Sequence, residues 1–246
     1  MKIGLFQYNI SWENKAENKK KILSILGDSD LKDIDWIIFP EMTLSGFSMD
    51  LTKTTTNDDD MNFFKKLSSS YKCSISFGGV IDANNRNITI NKHGEMLSQY
   101  SKIHLFGYGD EHNHYKPGKE PVSFEIGGFI ACPLVCYDLR FSYMFWDQAI
   151  KTNLYYVIAS WPASRREHWM TLLKARAIEN QSYVIGVNRC GNDPKLSYAG
   201  DSVVIDPLGK ELINCTDKEG LYTVEINMEE LLMIRKTFPF IKDRLK

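Results

Sequence analysis

The chain alternates between short apolar runs and longer stretches in which apolar residues recur every three or four positions, the pattern of strands interleaved with amphipathic helices. Lys2–Ile10 is apolar and β-prone, and Trp12–Asp28 follows with Ala16, Ile22, Leu23, Ile25 and Leu26 set among lysines. Asp35–Phe39 repeats the strand signal and Pro40 halts it, leaving Glu41 just past the strand's carboxyl end. Met42–Thr56 reads as loop. Asn57–Ser70 reads as a helix whose leading aspartates suit the positive end of the helix dipole. Cys73–Ile81 is predicted as a strand, Ala83–Arg86 as a turn, Asn87–Asn91 as a strand, and Met96–Phe106 as the returning strand with Lys102 near its end. That hairpin geometry predicts a mixed sheet with antiparallel members at one side. The polar stretch Gly107–Pro121 reads as a long surface loop able to form one wall of a pocket.

In the second half, the apolar run Gly128–Val135 is too short for an ordinary helix and stops at Cys136, followed by polar Tyr137 and Asp138. Phe141–Thr152 looks helical, and Leu154–Ser160 is a buried strand stopped by Trp161–Pro162. Trp169, Leu172, Leu173 and Ala177 recur at helical spacing within Arg165–Gln181. Tyr183–Val187 is a strand, Gly200–Asp206 and Glu211–Cys215 form a hairpin, Leu221–Ile226 is a strand, and Met228–Thr237 is a terminal helix. No repeat, low-complexity tract or linker divides the 246 residues, so the pattern predicts one layered α/β or α+β domain.

Charge removes two classes of partner. Basic and acidic residues number 30 and 31, so no overall field recruits nucleic acid or an anionic membrane. No apolar run approaches a membrane span, and the start MKIGLFQYNI lacks the long apolar core of a signal peptide. A soluble, cytoplasmic protein acting on a small molecule is expected. Five irregularly spaced cysteines (Cys73, Cys132, Cys136, Cys190 and Cys215) do not form a disulfide framework, so reduced thiols are expected.

Three reactive groups lie near ends of predicted strands: the Glu41 carboxylate, the Lys102 ammonium and the Cys136 thiol. In α/β sheets ligands sit outside the strands' carboxyl ends, where such a thiol can meet a substrate. Their roles are complementary, because a cation stabilises a thiolate, a carboxylate takes a proton during attack, and lysine with a backbone N–H can hold an oxyanion. Each has a plain alternative. A free cysteine is commonly a buried small hydrophobe, and surface Glu and Lys are common. Cys132 and Cys136 with His112 and His114 form a zinc-binding alternative, although the spacing is not a usual zinc pattern. A papain-like pattern is missing, and a non-catalytic scaffold stays open if Cys136 is buried and inert.

Phe39–Pro40–Glu41–Met42, Tyr100-to-Phe106 and Cys136-to-Phe141 resemble, in order, the Glu, Lys and Cys signatures of the nitrilase superfamily of carbon–nitrogen hydrolases. Ala175-to-Asn180 and Gly200–Asp201–Ser202 extend the resemblance over nearly the whole chain. Phe39-to-Gly46, Asp110–Glu111–His112, Pro133-to-Phe141 and Ser160–Trp161–Pro162–Ala163 resemble its omega-amidase branch, which hydrolyses the terminal amide of alpha-ketoglutaramate or alpha-ketosuccinamate. The resemblance implies a single carbon–nitrogen hydrolase domain over residues 1–246, folded as a four-layer αββα sandwich with mixed sheets. It implies Glu41 as general base, Lys102 as stabiliser of the tetrahedral intermediate, Cys136 as nucleophile and Glu111 as a second glutamate beside Lys102. The Tyr137 N–H is the expected oxyanion donor, with Trp161 shaping the pocket. Arg165 is the expected partner of a substrate carboxylate, and Arg166 is nearly as suitable. No cofactor or metal is implied. A homodimer is, paired through helices beside the Cys136 strand and through the helix and tail over 228–246. Another small linear amide or an N-carbamoyl amine is the alternative substrate.

Overall fold

The computed structural model describes residues 1–244; the last two residues of the expected 228–246 tail lie outside them. The first half runs β1 (Lys2–Gln7), α1 (Lys15–Gly27), β2 (Trp36–Ile38), α2 (Leu51–Thr54), α3 (Asp58–Tyr71), β3 (Ser74–Ile81), β4 (Asn84–Ile90), β5 (Met96–Ser101) and α4 (Glu111–His114). The second runs β6 (Phe124–Ile126), β7 (Phe129–Val135), α5 (Tyr143–Trp146), β8 (Leu154–Ala159), α6 (Arg166–Asn180) and β9 (Tyr183–Asn188). It closes with β10 (Cys190–Asn192), β11 (Ser197–Ala199), β12 (Val203–Ile205), β13 (Glu211–Asn214), β14 (Gly220–Glu225) and α7 (Met228–Thr237).

Two six-stranded sheets stack face to face, ordered β14-β1-β2-β3-β4-β5 and β13-β12-β9-β8-β7-β6. Each has a parallel centre, β1-β2-β3 in one and β7-β8-β9 in the other, with antiparallel strands at both edges. The expectation of antiparallel members at one side alone is thus corrected, because β14 returns from the far end of the chain to cover β1.

Side-chain alternation makes the layers. In β2, Trp36 and Ile38 point between the sheets, where Trp36 meets Tyr156 edge-on at 4.8 Å, while Ile37, and Phe39 just past the strand, point outward under α1 and α3. On the other outer face, Trp169, Leu173 and Ala177 of α6 lie against β9, and Gly186 permits it, since a Cβ there would collide with Leu173 and Trp169. The result is the four-layer αββα sandwich. No helix among the described residues is long and apolar enough to cross a membrane.

Several local expectations move. The first hairpin turns at Asp82 and Ala83, both with positive φ, so Asn84–Arg86 belongs to β4. The returning strand stops at Ser101, leaving Lys102 just past its end. Phe141–Thr152 keeps only the four-residue α5, and Gly107–Pro121 is not all surface, because α4 folds inward and buries Glu111 and Tyr115.

Candidate active site

Glu41, Lys102 and Cys136 line one cavity of about 540 Å³ at the carboxyl ends of the parallel strands, together with Phe106, Tyr137 and Trp161. The turn after β2 carries Glu41 and lies directly on β3: Thr43 N donates to Gly78 O at 3.0 Å, and any Cβ on Gly78 would overlap the backbone of Glu41 and Met42. Lys102 is pinned on both sides, its N–H donating to Asn85 O at 2.8 Å and its carbonyl accepting from Gly118 at 2.7 Å. Cys136 begins a short 3-10 turn at the end of β7 with φ of 45°, a left-handed conformation that tips its side chain out of the strand line.

Glu41, Lys102 and Glu111 are fully buried and form one network. Lys102 Nζ lies 3.0 Å from Glu41 Oε1 and 2.8 Å from Glu111 Oε2. Asn85 Nδ2 donates to both carboxylates, at 2.7 Å to Glu41 Oε1 and 2.9 Å to Glu111 Oε1. Backbone donors complete it: Ser160 N to Glu41 Oε2 at 2.8 Å and Phe106 N to Glu111 Oε2 at 2.6 Å. Burial alone would lower the lysine's proton affinity, but the charges of Glu111 and Glu41 outweigh it, so Lys102 titrates well above the usual lysine range.

The thiol behaves differently from a simple lysine-activated cysteine. Burial and the Glu41 charge push Cys136 well above the ordinary thiol value, and the Lys102 charge only partly offsets them. That direction favours the protonated thiol. Its proton needs an acceptor during attack. Glu41 Oε1 is already met by two donors, while among the described residues Oε2 is met by Ser160 alone.

The remaining expected residues divide. Tyr137 sits in the first turn after Cys136, where backbone N–H groups have no acceptor within the helix. Trp161 is a buried wall, its Nε1 donating to Arg165 O at 2.8 Å. Arg165 reaches the cavity, its guanidinium 5.5 Å from the centre of the Phe106 ring. Arg166 does not line it and is committed to Asp201 at 2.7 and 2.9 Å. Sequence reasoning missed Arg140, whose guanidinium lies on the cavity 4.8 Å from the Trp161 ring, and it missed Asn85 by reading that position as a turn. The zinc alternative does not assemble. Cys132 lies in the core, His114 bonds Asp110, and no cluster suited to a metal occurs among the described residues.

Known proteins resemble the chain over nearly its whole length. The family model for carbon-nitrogen hydrolases matches residues 2–236. A 2-oxoglutaramate amidase of Bacillus subtilis is 32% identical, covering 98% of this chain and 96% of that protein. The omega-amidase YafV of Escherichia coli K12 is 36% identical, covering 99% and 96%. A crystal structure of XC1258 from Xanthomonas campestris, a CN-hydrolase superfamily protein with an arsenic adduct in its active site, superposes with a TM-score of 0.93 at 31% identity, covering 100% of this chain and 97% of that one. Matches of that length and identity make the chain a member of the carbon-nitrogen hydrolase family.

Proposed function

We propose that the protein hydrolyses the terminal amide of small linear 2-oxo acid amides such as alpha-ketoglutaramate and alpha-ketosuccinamate. In this reading Cys136 attacks the amide carbon as its proton passes to Glu41 Oε2, and Lys102 with the Tyr137 N–H holds the oxyanion. Glu41 returns the proton to the leaving nitrogen, ammonia departs, and a thioester remains on Cys136. Water, activated by the same carboxylate, then attacks the thioester and releases the 2-oxo dicarboxylate. Glu111 keeps Lys102 charged and aimed.

The observation that carries the reading is a cavity lined by a thiol, an acid and a cation and by two guanidiniums, Arg140 and Arg165, that have no ion pair among the described residues. Those guanidiniums suit the substrate's own carboxylate, and the names of the Bacillus and Escherichia relatives support the same acid amides. The test is ammonia release across alpha-ketoglutaramate, alpha-ketosuccinamate, glutamine, asparagine and an uncharged linear amide. Preference for the 2-oxo acids supports the proposal, and equal or better turnover of the uncharged amide contradicts it.

The exposed aromatics Trp146 and Phe238 lie around Arg244 and the end of α6, and they supply an apolar face on which two copies pair. Five free cysteines support a reducing, cytoplasmic setting.

A further inference from the structure

Directly behind Cys136, a buried carboxylate takes no part in the chemistry above. Asp138 is fully buried in the 3-10 turn, and four donors converge on it from two separate segments. Oδ2 accepts from Val135 N at 3.2 Å and from the Tyr100 hydroxyl at 2.8 Å. Oδ1 accepts from His104 N at 2.9 Å and faces His104 Nδ1 at 3.0 Å. Val135 immediately precedes the nucleophile, while Tyr100 and His104 flank Lys102 two residues to either side. One carboxylate therefore ties the strand end that carries the thiol to the segment that carries the ammonium.

We propose that Asp138, held by His104, is a positioning residue that fixes the separation and orientation of the Cys136 thiol relative to Lys102. The left-handed backbone at Cys136 calls for such a brace, since a non-glycine residue persists in that region only where its surroundings enforce it. His104 is itself held. Its ring stacks on Phe141 with centroids 3.6 Å apart, and Nε2 lies 2.7 Å from the Tyr143 hydroxyl. With Nδ1 bearing the proton toward Asp138 and Nε2 accepting from Tyr143, every polar atom of the imidazole is used.

The experiment compares Asp138→Asn, His104→Phe and His104→Asn by amide turnover and by the rate of Cys136 alkylation with iodoacetamide. The other four cysteines are buried, whereas Cys136 is partly exposed on the cavity, so alkylation reports Cys136. An asparagine at 138 keeps the shape but brings an NH2 against groups that are themselves donors, so one side of the brace opens. It should lower kcat about 100-fold with KM within about threefold, and slow alkylation. His104→Phe keeps the stack and loses the donor, and should cost about tenfold in kcat. His104→Asn restores a donor toward Oδ1 and should recover to within about threefold of the wild type.

A folded Asp138→Asn with wild-type kcat and alkylation overturns the proposal, as does a His104→Phe indistinguishable from wild type or a His104→Asn that rescues nothing. If Asp138→Asn does not fold, the partly exposed His104 pair decides alone. The kinetic arm rests on the amidase reading whereas alkylation needs no substrate, so failure of one is distinguishable from failure of the other.

Discussion

Ser160 donates its backbone N–H to Glu41 Oε2 at 2.8 Å across 119 positions of sequence, joining the end of β8 in one sheet to the end of β2 in the other. Together with Asn85 and Lys102 on Oε1, it fixes the orientation of the carboxylate, which in the proposed mechanism takes the thiol proton. A glutamine at 41 keeps the shape but takes no proton. Glu41→Gln should lower kcat by about 100-fold or more with KM within about threefold, measured by steady-state ammonia release. An unchanged kcat would remove Glu41 as the base.

Lys102 is held between two carboxylates, and Glu111 supplies the shorter contact, 2.8 Å against 3.0 Å. Without the Glu111 charge the ammonium is drawn toward Glu41 and away from the oxyanion position. Glu111→Gln should therefore reduce kcat by about 100-fold. A solvated glutamate, as the charged loop sequence suggests, would give no effect.

Arg140 and Arg165 line the cavity beside Trp161 and Phe106. Replacing either with Met should raise KM for an acid amide about tenfold, the worth of one hydrogen bond to a charged group, and leave KM for an uncharged amide nearly unchanged. Equal effects on both amides would mean that the guanidiniums only pack against the aromatic walls.

The catalytic candidates were legible for a simple reason. Short apolar strands that stop at Pro40 or at polar Tyr137 announce their own ends, and Glu41 and Cys136 stand there. The residues that support them were not. Asn85 faces inward at the start of β4 among other polar residues, which hides the period-2 signal and reads as turn. Glu111 is reached through the family resemblance alone and Asp138 reads only as a polar residue after the strand, because their partners, Lys102, Phe106, Tyr100 and His104, come from other segments that only the fold brings near. The double-edged antiparallel sheets were illegible too, since β14 reaches β1 from more than two hundred residues away.

Stability has its own handle at Asp60, which closes the capping box of α3 with Asn57 and bonds Lys15 at 2.6 Å and Lys19 at 2.7 Å. Burial alone would raise its carboxyl, but the hydrogen bonds from Lys15, Lys19 and Asn57 outweigh that and hold it below the ordinary 3.8. A lowered folded-state value means that the stabilisation is fully present above the unfolded value and lost as pH falls through the folded one. Asp60→Ala should cost about 1–2 kcal/mol at neutral pH, and the gap in urea midpoint should narrow as the pH falls below 3.8. A gap that widened in acid would reverse the assignment.

All of this chemistry passes through the sulfur of Cys136, and its necessity is read by ammonia release from alpha-ketoglutaramate by the wild type and by Cys136→Ala at matched folded concentration. The expected result is steady release by the wild type and a variant that keeps its fold and melting temperature but loses about 10,000-fold or more in kcat. A folded Cys136→Ala that releases ammonia at the wild-type rate would contradict the mechanism.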